Sequence, residues 1–196
     1  MLKTAVLVSG GGTNLQALID AAGRGEMPHV QLSLVVSDRA GAFALERAEK
    51  AGIRAEYLEK EGFEERLNAL LDGEGVGLIV LAGFLRILSE GFTRRWAGRI
   101  INIHPSLIPS FCGAGYYGLR VHEAALARGV KVTGATVHFV NEIPDGGEII
   151  AQRAVEVRPG DTPEALQRRV MEQAEWKILP EAAEAVAERL EGESDR

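Results

Sequence analysis

TAVLVSGGGTN, residues 4–14, passes from a short apolar, β-branched segment directly into three glycines and then into helical periodicity. Thr4 to Val8 reads as a buried strand, Ser9 to Gly12 as a tight turn, and Asn14 to Ala22 as a helix. The same strand-then-helix alternation continues outward. Leu32 to Val36 is a second strand, and Ala42 to Ala51 a helix with Gly52 placed to end it. Ile53 to Leu58 is a third strand and Phe63 to Leu71 a helix. Gly77 to Ala82, GLIVLA, is continuously apolar, as expected of a strand covered on both faces in a parallel sheet. A short helical piece spans Glu90 to Trp96, and Arg99 to Ile103 is a fifth strand. A long irregular loop follows from His104 to about Leu119, and loops of that length are usually functional. Val132 to Val140 and Glu148 to Val157 are extended runs joined through Pro144-Asp145-Gly146-Gly147, a hairpin added to one sheet edge. Thr162-Pro163 starts a long C-terminal helix, expected to break at Pro180 and resume to about Leu190. The charged tail after Glu191 is expected to fray. The fold class is therefore α/β: a doubly wound, mostly parallel sheet with a C-terminal hairpin and a long C-terminal helix. Ligands of such folds bind beyond the carboxyl ends of the strands.

The 196 residues are expected to form one domain, 1–196. A 46% hydrophobic and 26% charged composition is that of a globular chain and excludes disordered and collagen-like classes. A net charge of −6 argues against a general nucleic-acid binder, which needs a basic face. The longest apolar stretch, Leu78 to Leu88, is interrupted by Arg86 and falls short of the ~18–20 residues of a membrane helix. No signal peptide is evident, and the lone Cys112 leaves a cytoplasmic location as the natural expectation. One Cys and four scattered His show no metal-ligand spacing, so no metal is expected.

Three stretches carry chemistry. Ser9 to Asn14 places glycine backbone N–H groups at a helix start, where they can close on a phosphate. It departs from the dinucleotide fingerprint, because Leu15 stands where the third small residue belongs, although Asp38 occupies the place of a ribose-binding acid. A glycine turn without a ligand is the plainer alternative. In Asn102-Ile103-His104-Pro105, period-2 alternation puts Asn102 and His104 on one face at a strand's carboxyl end if Ile101 and Ile103 face the core. An amide donor beside an imidazole suits acyl transfer. Asp145, before Gly146, is ordinary turn chemistry unless the hairpin brings it to His104, where it would raise the imidazole pKa or orient the ring. His29, His122 and His138 read as hydrogen-bonded structural side chains.

SGGGTN (9–14), LAGFLRIL (81–88), NIHPSLIP (102–109) and TGATVHFVNEIPDGG (133–147), in this order, together resemble the phosphoribosylglycinamide formyltransferase family over nearly the whole chain. The resemblance implies transfer of a formyl group from 10-formyltetrahydrofolate to the amine of 5-phosphoribosylglycinamide, without a metal. It implies a catalytic trio of Asn102, His104 and Asp145, with protonated His104 and Asn102 on the oxyanion. Gly12, Thr13, Asn14, Pro105 and Glu175 would hold the ribonucleotide. Leu85, Arg86, Ile87, Leu88, Asn102, Asn141, Glu142, Ile143, Pro144 and Asp145 would hold the folate, with Lys60 a further contact. The chain departs from the family in a loop about five residues longer between Phe111 and His122, in Trp176 where many members have His, and in one extra residue after Arg169. The nearest alternative is formyltetrahydrofolate deformylase, a hydrolase sharing the trio; its relatives carry an additional N-terminal domain. Methionyl-tRNA formyltransferase would need a nucleic-acid-binding domain after Val157.

Overall fold

The computed structural model describes residues 1–194. Seven strands form one sheet in the order β3-β2-β1-β4-β5-β6-β7. They are β1 (Leu2–Val8), β2 (Val30–Ser37), β3 (Arg54–Tyr57), β4 (Leu78–Leu81), β5 (Ile100–His104), β6 (Val132–Phe139) and β7 (Ile149–Glu156). The first five run parallel, and β6 and β7 are antiparallel additions beside β5. Alternation along β1 divides its side chains between two cores. Val6 and Val8 pack into one cluster with Leu15, Leu18, Leu166 and Ile178, whereas Ala5 and Leu7 join Leu67, Leu71, Phe92 and Trp96 in the other. Burial on both faces explains why β4 reads LIVL with every residue buried.

The helices are α1 (Thr13–Gly23), α2 (Phe43–Lys50), α3 (Phe63–Glu74), α4 (Glu90–Arg95), α5 (Leu119–Arg128), α6 (Pro163–Val170) and α7 (Trp176–Ser194). α5 is not singled out by the sequence pattern; Val121, His122 and Ala125 form its buried face. α6 begins as expected, with Thr162 Oγ1 accepting from the Ala165 N–H at 3.2 Å and Pro163 in the first turn. The expected break at Pro180 is not where the irregularity lies. Met171–Glu175 form a π-turn between α6 and α7, and α7 then runs through the buried Pro180 without interruption. An extra residue inside a helix is accommodated as a π-turn of this kind, so the irregularity falls five residues or more before the proline. Helix continues past Glu191 to Ser194, against the expected fraying, and residues 195–196 of the tail lie outside the described residues.

The chain reverses direction of winding between β1 and β4, the adjacent strands that lead to either half of the sheet. The crevice beyond their carboxyl ends is where such folds bind ligands. It is tied shut at its base, with Ser9 N–H donating to the Gly83 carbonyl at 3.1 Å and Leu85 N–H to Ser9 Oγ at 2.9 Å.

Candidate active site

A cleft of about 670 Å³ opens at this switch point, lined from the α1 start, the segment after β4, the end of β5, the loop 105–118, the β6–β7 hairpin and the π-turn. Thr13, Asn14, Leu85, Arg86, Ile87, Leu88, Asn102, His104, Pro105, Asn141 to Asp145 and Glu175 all line it. Lys60 does not; its carbonyl accepts from the Arg86 guanidinium at 3.4 Å while its side chain stays outside. Gly12 is absent from the wall, as are Gly10 and Gly11. At φ +71, packing requires glycine at 12, since a Cβ would stand 2.6 Å from Ala44 Cβ. Gly10 and Gly11 have open space around them, and α1 starts without a side-chain cap, so the backbone N–H groups of this turn are available to an anion.

Asn102 and His104 end β5 as the alternation required, with Ile101 and Ile103 in the core. Asp145 arrives from the hairpin. A Gly146 N–H to Ile143 carbonyl bond of 2.9 Å closes a turn in which Asp145 has φ +55, a position that favours glycine or asparagine. Gly147 is obligatory there, because a Cβ would stand 1.7 Å from the Phe139 carbonyl oxygen. An aspartate tolerates this region in a turn, so what singles Asp145 out is where its carboxylate points. Its carboxylate reaches both imidazoles: Oδ2 is 3.5 Å from His104 Nδ1, Oδ1 is 3.5 Å from His138 Nε2, and Oδ2 accepts from the Gly113 N–H at 2.8 Å.

His138 is the site residue that sequence reasoning missed. It pairs with Asn102 across the β5–β6 register. Its Nδ1 donates to the Phe139 carbonyl at 2.8 Å, so Nε2 accepts from Asn102 Nδ2 at 3.0 Å and fixes that amide. Only the antiparallel register, which the sequence does not disclose, brings it there. His122, read as hydrogen-bonded, is instead fully buried with both ring nitrogens unpartnered among the described residues. Burial, and then the nearby His104, push its pKa down to about 4.

Burial lowers the His104 pKa below its ordinary value, and the Asp145 charge, which raises it as expected, and the Phe111 carbonyl offset that only in part. Burial pushes the Asp145 carboxyl up, but the neighbouring His138 and His104 rings and the Gly113 N–H together hold it below its usual range. Glu175 is 6% exposed, and its burial raises the carboxyl to about 7 against the opposing bond from Asn14 Nδ2 at 2.7 Å. Asn14 Oδ1 remains a buried acceptor without a partner among the described residues.

The other end of the cleft is apolar. Leu85, Ile87 and Ile143 are exposed, Ile87 at 74%, and face it from two sides. A concentration of exposed aliphatic groups in a cleft marks a ligand surface. Arg86 stacks its guanidinium 4.5 Å over Phe63, which holds this segment against α3. Gly113 to Gly118, including Tyr116 and Tyr117, line the cleft together with Gln167 and Met171.

A doubly wound domain with an amide, imidazoles and a carboxylate converging at its switch point is the architecture of an acyl-group transferase. The chain belongs to the formyl transferase family, whose model matches residues 2–183. Among its relatives, the phosphoribosylglycinamide formyltransferase of Haemophilus influenzae is 43% identical over 186 residues, 92% of this chain and 84% of that protein. The trifunctional purine biosynthetic protein adenosine-3 of Gallus gallus is 46% identical over 192 residues, and the chain spans 18% of that protein's length. The crystal structure of glycinamide ribonucleotide transformylase 1 from Symbiobacterium toebii superposes with a TM-score of 0.88 at 43% identity, covering 96% of this chain and 88% of that one. A formyltetrahydrofolate deformylase from Pseudomonas syringae shares the fold at a TM-score of 0.86 but is 27% identical, and the match covers 62% of it.

Proposed function

We propose that this protein transfers the formyl group of 10-formyltetrahydrofolate to the amine of 5-phosphoribosylglycinamide, a step of purine biosynthesis, in the cytoplasm. The observation that carries this reading is the two-ended cleft. One end offers what a phosphorylated, amine- and hydroxyl-bearing ligand needs: open glycines 10 and 11, the uncapped α1 start, and the buried acceptors Asn14 Oδ1 and Glu175. The other end offers an apolar wall for a flat heterocycle. Thr13 and Asn14 hold the phosphate through their backbone N–H groups, and Pro105 and Glu175 bound the ribonucleotide. Leu85 to Leu88 and Asn141 to Asp145 bound the folate.

Asn102 Nδ2 donates one hydrogen to His138 and keeps the other for the formyl oxygen as negative charge develops on it. His104, whose Nδ1 lies 3.5 Å from the Asp145 carboxylate, acts as an imidazolium that stabilises the oxyanion together with Asn102. The proton released by the attacking amine is relayed through Asp145 to the departing amine of tetrahydrofolate. Binding both substrates in one cleft supplies much of the remaining acceleration through proximity. Identity favours the transferase over the deformylase, since the Haemophilus influenzae and Symbiobacterium toebii transferases stand at 43% and the deformylase at 27%. The test is product analysis with both substrates: formylated ribonucleotide and tetrahydrofolate formed in equal amounts support the proposal, and formate as the product overturns it.

A further inference from the structure

A phosphate bound at the glycine turn calls for a counter-charge, and most arginines around it are committed elsewhere. Arg47 donates from Nε to the Gly11 carbonyl at 2.8 Å and from its guanidinium to Gln16 Oε1 at 2.9 Å, which ties the turn to α2. Arg169 donates to both oxygens of Asp161 at 2.6 Å and does not line the cleft. From α6 and the π-turn the cleft receives Gln167, Met171 and Glu175, none of them cationic. Arg86 lies over Phe63 and donates to the Lys60 carbonyl. No lysine lines the cleft among the described residues. That leaves Arg39, which lines it and whose guanidinium has no hydrogen bond or ion pair among the described residues.

The backbone places Arg39 for that task. β2 ends at Ser37, which pairs with Val8 at the end of β1, so the segment after β2 runs beside the glycine turn. The Ala44 N–H, where that segment enters α2, donates to the Gly10 carbonyl at 3.1 Å. The buried Ser37 hydroxyl accepts from the Arg39 N–H and donates to the Arg39 carbonyl, both at 3.0 Å. That carbonyl also accepts from the Ala42 N–H at 3.2 Å. The base of the side chain is thus fixed, while the residue is exposed on the cleft wall with Thr13 and Asn14. A planar guanidinium with free N–H groups matches two phosphate oxygens at once. We propose that Arg39 is the phosphate-recognising cation of this cleft, and that it makes the protein select a phosphorylated amine over the same amine without phosphate. This inference rests on the glycine-turn end being the ribonucleotide site.

The test is steady-state kinetics of the full chain with 10-formyltetrahydrofolate and either 5-phosphoribosylglycinamide or its unphosphorylated riboside. Arg39→Gln, at an exposed position where folding does not depend on the side chain, should raise KM for the ribonucleotide by roughly 10–100-fold, the worth of one charge-assisted contact. KM for the folate and kcat/KM for the riboside should keep their wild-type values. Arg39→Lys should recover part of the loss, because a point charge replaces the fork. An unchanged ribonucleotide KM, an equal loss for ribonucleotide and riboside, or a loss that falls on the folate instead overturns the inference. Inorganic phosphate reads the same contact without turnover: it should raise the melting temperature of wild type more than that of Arg39→Gln. An equal rise in both, or none in wild type, overturns the inference. A selective rise in a protein that releases formate upholds Arg39 as the phosphate ligand and removes the proposed transfer, which separates the two failures.

Discussion

Glu175→Gln should make the ligand-free protein more stable while impairing its function. Glu175 lies in the π-turn at 6% exposure, with Asn14 Nδ2 as its hydrogen-bond partner, and burial raises its carboxyl from an ordinary 4.5 to about 7. A carboxyl whose folded pKa exceeds its unfolded one contributes most stability below pH 4.5 and loses it as pH rises to 7. At about 1.36 kcal/mol per unit, the difference at pH 8 is on the order of 3 kcal/mol. Glutamine has the same shape, keeps an oxygen for Asn14, and cannot ionise. The variant should therefore match wild type near pH 4.5 and exceed it in melting temperature by roughly 5–12 °C at pH 8, given about 2–4 °C per kcal/mol for a chain of this size. Calorimetric melting of both proteins from pH 5 to 8, without substrates, measures this directly. In the same variant, KM for the ribonucleotide should rise, because the ionised carboxylate is then lost from that end of the cleft. Parallel melting curves across the whole pH range would refute the reasoning.

Asn102→Ala should reduce kcat by about 10²–10³-fold while sparing nucleotide affinity, as expected for loss of one oxyanion donor; a change confined to KM in steady-state assays would remove that role. Asp145→Asn should lower the His104 pKa further, since the Asp145 charge opposes the effect of burial. The limb of the kcat/KM profile that reports His104 should then move to lower pH, and an unmoved limb would show the pair uncoupled. Gly11→Val, which has open space, should raise KM for the ribonucleotide without changing the melting temperature, whereas Gly12→Ala should lower the melting temperature because its Cβ meets Ala44. Equal effects of the two glycine variants on both measurements would contradict the assignment of one to binding and the other to packing.

The order of β1 to β5 and their helices was legible because buried parallel strands leave continuous apolar runs such as LIVL, and helices leave periodic ones. Asn102 and His104 were legible for the same reason: alternation along β5 places them once Ile101 and Ile103 are recognised as core. What depended on pairing was not. His138 looks like any strand histidine until β6 is set antiparallel to β5 opposite Asn102. The helical break was misplaced because proline is the visible signal, whereas a π-turn needs only an extra residue and leaves no compositional mark. Gly12 was grouped with its neighbours by sequence, and only the approach of Ala44 separates it from them. The direction of the His104 pKa shift depends on the balance of burial against one carboxylate at 3.5 Å, quantities that no spacing encodes.

The central claim is that the glycine-turn end of the cleft exists to place a phosphorylated amine against the formyl carbon. Its most direct test is release of tetrahydrofolate from 10-formyltetrahydrofolate, measured with and without 5-phosphoribosylglycinamide. A positioned amine has an effective concentration of up to ~10⁵–10⁸ M and outcompetes water. Release should rise by orders of magnitude when the ribonucleotide is added, one formylated ribonucleotide appearing per tetrahydrofolate, whereas rapid release that ignores the ribonucleotide would contradict the account and make the protein a hydrolase.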